Sequence, residues 1–160
     1  MGMDHVSLTV RDVGRSIEFY SKALGMKLLR RSMVNPVPEV KYENAYMYSD
    51  HFLLELVACE PDAQVQNNPG SFHEAMRGWI GITHLGVRVK DLDVAISKMK
   101  AAGAKVIADP VEVTGERVET LFFAKGVDPK MRYVKSPGKK PWRVALFSDP
   151  DGSTVELIER

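Results

Sequence analysis

Between Gly81 and Val89 the chain alternates. Leu85, Val87 and Val89 are apolar, and His84, Gly86 and Arg88 fall between them. A period of two predicts a strand with one packed face. His84, Gly86 and Arg88 then share the opposite face, with Gly86 leaving space beside the imidazole. The same pattern stands earlier in the chain. Asp4 to Val13 aligns without gaps on Thr83 to Leu92, so His5 falls on His84, Val10 on Val89 and Asp12 on Asp91. A helical period follows each copy: Val13, Ile17, Tyr20, Leu24 in the first, and Leu92, Ile96, Met99 in the second. Gly25 and Gly103 stand where left-handed helix caps are expected. Met26-Lys27-Leu28-Leu29 and Ala104-Lys105-Val106-Ile107 come next. Self-similarity on this scale means one structural unit used twice.

The first unit spans residues 1–59. Lys27 to Met33 is predicted as a strand, and Asn35-Pro36-Val37-Pro38 as a break, because proline cannot donate to a ladder. Glu43 to Tyr48 is a third strand and Ser49-Asp50-His51 a tight turn. Phe52 to Ala58 is a fourth strand, with Leu54 and Leu56 on one face and Leu53, Glu55 and Val57 on the other. Residues 60–81 form a connector. Within it Ser71 to Arg77 is predicted as a short helix, with Ser71 as its cap and Glu74 three residues later. His51 and His73 lie outside the repeated positions and read as surface residues. The second unit spans residues 82–160. Its last strands, Trp142 to Phe147 and Ser153 to Ile158, are joined by Ser148-Asp149-Pro150-Asp151-Gly152, a turn by its chemistry. Extra length at about 112–141 reads as strands around a long loop, and such loops are often binding elements or lids. The fold class is α+β, two tandem βαβββ modules.

Composition narrows the function classes. A chain of 160 residues, 44% hydrophobic and 27% charged, buries a core without staples. A net charge of +1 points to neither nucleic acid nor membrane as partner. No apolar run approaches membrane length, and the N-terminus lacks an apolar signal region. The single cysteine, Cys59, rules out an intrachain disulfide and fits a reducing compartment, so a cytoplasmic location is expected.

The final strands of the two units also correspond. Leu53 to Val57 aligns on Thr154 to Ile158, which sets Glu55 on Glu156. A carboxylate in mid-strand on an enclosed face is costly unless it is paired or bound to a cation. The repeat therefore selects His5, Glu55, His84 and Glu156. If the two units pair about a pseudo-twofold axis, all four can converge. Two imidazoles and two carboxylates suit a divalent transition metal. With no cysteine among them, they do not form a closed zinc site of the structural type. Taken singly, a histidine or glutamate in a strand is more often structural. Recurrence at matched registers is what raises the metal reading.

These residues carry a resemblance. Arg15-Ser16-Ile17-Glu18-Phe19-Tyr20, Leu24-Gly25-Met26-Lys27-Leu28-Leu29-Arg30, and Asp149-Pro150-Asp151-Gly152 through Glu156-Leu157-Ile158-Glu159 resemble the vicinal oxygen chelate superfamily, and within it the glyoxalase I family. The superfamily also holds bleomycin-resistance proteins and dioxygenases. The resemblance covers nearly the whole chain. It implies paired βαβββ modules whose mixed sheets curl around a metal site, with His5, Glu55, His84 and Glu156 as ligands. One divalent ion (Ni, Zn, Co, Mn or Fe) and a homodimer are expected. The implied substrate is a small molecule held through two adjacent oxygens, and the implied reaction is proton transfer at the neighbouring carbon. Glu156 would be the base and Glu55 would serve the opposite face.

Elsewhere the pattern departs from the family. The arginine that holds a glutathione carboxylate in that family is matched here by Thr9, and the place of a second contact, an asparagine, falls near Cys59. Arg88 mirrors Thr9 in the second unit. It either anchors an anionic group of the substrate or pairs with a local acid. From Glu116 to Arg143 eight Lys or Arg stand against three acids, a net charge of +5, with Tyr133 and Trp142 among them. That segment either recognises an anionic substrate or is solvated surface. Arg88, Thr9, Tyr133 and Trp142 are the expected substrate contacts. The alternatives to a glyoxalase I type of lyase are a metal-dependent epimerase acting on an acyl-CoA-like or other anionic substrate, and a drug-binding resistance protein without catalysis. Epimerases of that kind usually carry glutamine where Glu55 stands, and resistance proteins generally lack the quartet. Ring-cleaving dioxygenases usually use two histidines and one glutamate.

Overall fold

The computed structural model describes residues 4–37, 40–50, 52–61, 63, 69–71, 74–75, 82–113, 118–120, 133–135 and 141–159. The first half contains β1 (Val6–Val10), α1 (Val13–Leu24), β2 (Lys27–Val37), β3 (Val40–Tyr48) and β4 (Leu53–Ala58). The second contains β5 (Leu85–Val89), α2 (Leu92–Ala101), β6 (Lys105–Val113), a short hairpin of β7 (Val118–Thr120) and β8 (Tyr133–Lys135), then β9 (Trp142–Ser148) and β10 (Thr154–Glu159). Hairpin aside, each half runs β, α, β, β, β.

The helix starts are set by Asp12 and Asp91. Asp12 Oδ1 accepts from the Arg15 N–H and Asp91 Oδ1 from the Val94 N–H, both at 2.9 Å. Such caps are worth about 0.5–2 kcal/mol each. Past the helix ends the chain turns through left-handed glycines, Gly25 at φ 68° and Gly103 at φ 89°.

The strand orders are β1-β4-β3-β2 and β5-β10-β9-β6, two curled mixed sheets of four strands. The first strand of each half pairs parallel with the last, and the register repeats. Ser7 stands opposite Glu55, and Gly86 opposite Glu156. One apolar core serves both halves, with Val13, Phe19, Tyr20 and Leu56 from the first and Leu92, Met99, Phe147 and Leu157 from the second. Helix α1 packs against α2.

The join between halves is polar as well. The Tyr20 hydroxyl donates to Asp149 Oδ2 at 2.8 Å. Arg15 Nη2 donates to the Pro150 carbonyl at 2.6 Å and to Asp151 Oδ1 at 3.1 Å. The turn expected at Asp149 to Gly152 is therefore also the latch that holds α1. Burial pushes the Asp149 carboxyl up, although Tyr20 and the N–H groups of Ser153 and Asp151 donate to it.

Three local expectations change. Strand β2 runs through Pro36 instead of breaking there, and β3 begins at Val40. β2 is the edge of its sheet and its register shifts between Val34 and Val37, which is where a strand tolerates proline. Strand β5 begins at Leu85, so His84 stands just before it, as His5 stands just before β1. The expected cap at Ser71 is present, its Oγ accepting from the Glu74 N–H at 3.2 Å. Arg77, His51, His73, the side chain of Tyr133 and most of the segment 112–141 lie outside the described residues. No helix among the described residues is long and apolar enough to cross a membrane.

Candidate metal centre

Alternation along β4 and β10 buries Leu54, Leu56, Val155 and Leu157 and turns Glu55 and Glu156 to the opposite faces of their sheets. Because each histidine precedes an edge strand, its ring reaches across to the carboxylate of the next strand. His5 Nε2 lies 3.4 Å from Glu55 Oε2, and His84 Nε2 lies 3.2 Å from Glu156 Oε2. The other ring nitrogens are engaged. His5 Nδ1 is 3.1 Å from Asp4 Oδ2, and His84 Nδ1 is 2.9 Å from Thr83 Oγ1. A proton on His5 Nδ1, donated to Asp4, leaves the Nε2 lone pair facing Glu55, the arrangement usual for a metal-ligating histidine.

The donor set fits a divalent ion. Two ligands about 2.1 Å from one ion, at tetrahedral or octahedral angles, lie roughly 3.0–3.4 Å apart. Each His–Glu pair has that separation. Among the described residues, however, no three of His, Cys, Asp or Glu stand together. Within one chain the four residues selected by the repeat form two pairs, not one quartet.

The surroundings of the pairs differ. Asn44 Nδ2 donates to Glu55 Oε1 at 2.7 Å, and Ser32 Oγ donates to Asn44 Oδ1 at 3.0 Å. Burial pushes the Glu55 carboxyl up, but hydrogen bonds from Asn44, Tyr46 and Ser7 and the charge of His5 outweigh it and hold the group below the usual carboxylate range. The Tyr46 ring meets His5 edge-on at 5.6 Å and lies under the Arg30 guanidinium at 5.1 Å. Sequence reasoning did not select Asn44, Tyr46, Ser7 or Arg30. The available signal was the alternation of β3, which puts Asn44 and Tyr46 on one face. Gly86 does leave space, but beside the carboxylate rather than the imidazole: a Cβ there would stand 3.6 Å from Glu156 Oε2.

The expected substrate contacts are distributed as follows. Arg88 is exposed, opposite Ile158, on the face of Gly86. Thr9 and His84 both line a cleft of about 450 Å³ between the edges of β1 and β5. Thr154 also lines it, and its buried Oγ1 has no hydrogen-bond partner among the described residues. Trp142 alternates onto the same face as Val144 and Leu146, the residue opposite Glu156.

Two βαβββ units, each with a His–Glu pair at matched register on a curled sheet, define a tandem-module protein. The chain belongs to the Glyoxalase/Bleomycin resistance protein/Dioxygenase superfamily, whose family profile matches residues 2–157. It is 31% identical over 162 residues to a probable chloroplastic lactoylglutathione lyase of Arabidopsis thaliana, a match covering 99% of this chain and 35% of that protein. It is 29% identical over 159 residues to a lactoylglutathione lyase of Escherichia coli O157:H7, covering 99% of this chain and 93% of that one. Glyoxalase I from Zea mays shares the fold at a TM-score of 0.59 and 25% identity, over 99% of this chain and 44% of that chain. A fosfomycin resistance protein from Listeria monocytogenes, solved with Mn(II) and sulfate, shares it at a TM-score of 0.60 and 12% identity, over 99% and 92%. The chain spans less than half the length of the plant relatives it matches.

Proposed function

We propose that this protein is a divalent-metal-dependent lyase of the glyoxalase I kind, moving a proton at a carbon next to a carbonyl in a small 2-oxoaldehyde–thiol adduct. The observation that carries the reading is the pair of His–Glu sites at matched register, each with the ligand separation of one ion. The metal would be Ni, Zn, Co, Mn or Fe. Two copies assemble each site, one giving His5 and Glu55 and the other His84 and Glu156. The separation of the pairs within one chain supports a homodimer, as does the placement of β1 and β5 at open sheet edges. The lone Cys59 supports the cytoplasm as its compartment.

When bound, the ion would act as a Lewis acid on the adjacent substrate oxygens and make the neighbouring C–H more acidic. Glu156 takes that proton and returns it to the adjoining carbon. Glu55 stays on the opposite face. Thr9 in the cleft, Arg88 and Trp142 on the Glu156 face of the second sheet, and Tyr133 orient the substrate. Thr9, standing where the family carries a glutathione-gripping arginine, favours a second reading, an epimerase acting beside an anionic thioester.

Reconstituted protein, assayed on a methylglyoxal–glutathione hemithioacetal and on acyl-CoA epimers, separates the two. Glu156→Gln should keep metal and lose about 100- to 10,000-fold in turnover. Undiminished deuterium exchange at the substrate carbon in that variant would reassign the base.

A further inference from the structure

The two halves of the chain are one unit used twice, so the second serves as an internal reference for the first. Asn44 Nδ2 donates to Glu55 at 2.7 Å, and Tyr46 and Ser7 stand opposite the same carboxylate on the two neighbouring strands. The sheet registers name their counterparts. Tyr46 stands opposite Glu55, and Leu146 opposite Glu156. Asn44 stands opposite Val57 and Val144 opposite Ile158. Ser7 stands opposite Glu55 and Gly86 opposite Glu156. Each of these polar neighbours of Glu55 is thus replaced, beside Glu156, by a residue with no side-chain donor.

The first half carries this arrangement at a cost. Asn44 is 3% exposed, and a buried amide is unfavourable unless both of its ends are bonded. Both are: Oδ1 accepts from Ser32 and Nδ2 donates to Glu55. The bond divides the carboxylate. Oε1 is tied to Asn44, while Oε2 faces His5 Nε2. In the second half Val144 and Leu146 occupy the matched positions, at 2% and 0% exposure. Among the described residues no β9 side chain donates to Glu156, and Gly86 leaves room beside its Oε2.

We propose that Asn44 and Tyr46 are positioning residues that hold Glu55 in one orientation toward His5. This inference rests on reading the His–Glu pairs as metal ligands.

The test uses the whole chain and Co²⁺ as the probe, titrated by its visible absorption, with the thermal midpoint of the metal-free protein measured alongside. Tyr46→Phe removes one hydroxyl and keeps the ring between His5 and Arg30. Asn44→Ala removes the amide. Loss of a group that orients a metal ligand typically weakens affinity about 10- to 100-fold, and that is the expected result for both. Val144→Ala, at the position matched to Asn44, should lower the thermal midpoint yet leave Co²⁺ affinity within about twofold. If Tyr46→Phe and Asn44→Ala bind Co²⁺ as wild type does, the two residues are packing only and the proposal fails. It fails equally if Val144→Ala weakens Co²⁺ as much as they do, since the effect is then general loosening. A wild-type protein that takes up no Co²⁺ overturns the metal reading itself, and this inference with it.

Discussion

Mixing two inactive variants tests whether each site is built from two copies. His5→Ala damages the first pair and leaves His84 and Glu156 whole. His84→Ala does the reverse. In a homodimer of either variant both sites lack one histidine. In the mixed dimer the arithmetic changes, because each site takes its first pair from one copy and its second from the other. One site then receives both damaged pairs, and the other receives both intact ones. Random association of equal amounts makes about half the dimers mixed, each with one working site of two. The mixture should therefore recover about one quarter of wild-type turnover and about one quarter of its bound metal. The assay needs co-expression, or exchange of subunits after mild dissociation, followed by activity and elemental analysis. Each variant alone should stay near background. If both pairs met within one chain, every chain in the mixture would carry a damaged site. Recovery would then be nil, and the two-copy arrangement would be wrong.

Other consequences are narrower. Arg88→Ala should raise KM for an anionic substrate about 10- to 150-fold, the value of a charge-assisted contact, without loss of metal; an equal rise for a neutral analogue would make Arg88 structural. Burial first, and Asp149 second, hold the Tyr20 hydroxyl well above its ordinary pKa. That contribution to stability is full below the unfolded value of about 10 and is lost as pH rises through the higher folded value. Tyr20→Phe should thus flatten the fall of the thermal midpoint above pH 10, and parallel curves for the two proteins would trace the loss to other groups. Gly25→Ala should cost roughly 1–2 kcal/mol in denaturant unfolding, because φ of 68° is left-handed; a neutral result would mean the helix end refolds around the substitution.

Much of this was legible in the sequence because it is local. A period of two along Leu85 to Val89 sets which residues face together, whatever the strand pairs with. Asp12 and Asp91 cap helices by reaching three residues along their own chain, and Gly25 and Gly103 turn because only glycine does so freely. The repeat carried the argument further. It set His5 on His84 and Glu55 on Glu156, and the shared register of β1 with β4 and of β5 with β10 places each histidine against its glutamate. The edge position of β2 is not local, and it is why Pro36 fails to break the strand.

What tertiary structure alone decided lies across strands and between halves. Asn44, Tyr46 and Ser7 meet at Glu55 from two other strands, and their convergence depends on strand order and register rather than on sequence spacing. Tyr20 finds Asp149 across 129 residues, so a segment that reads as a simple turn becomes a latch. The alternating pattern could place all four candidate ligands on the faces opposite the apolar residues, but it could not say whether one chain closes them into a single site. Packing of α1 on α2 fixes how the halves meet, and it leaves two His–Glu pairs apart. Distances between units follow from which faces bury the most apolar surface, and that is a property of the assembled core, not of any stretch read alone.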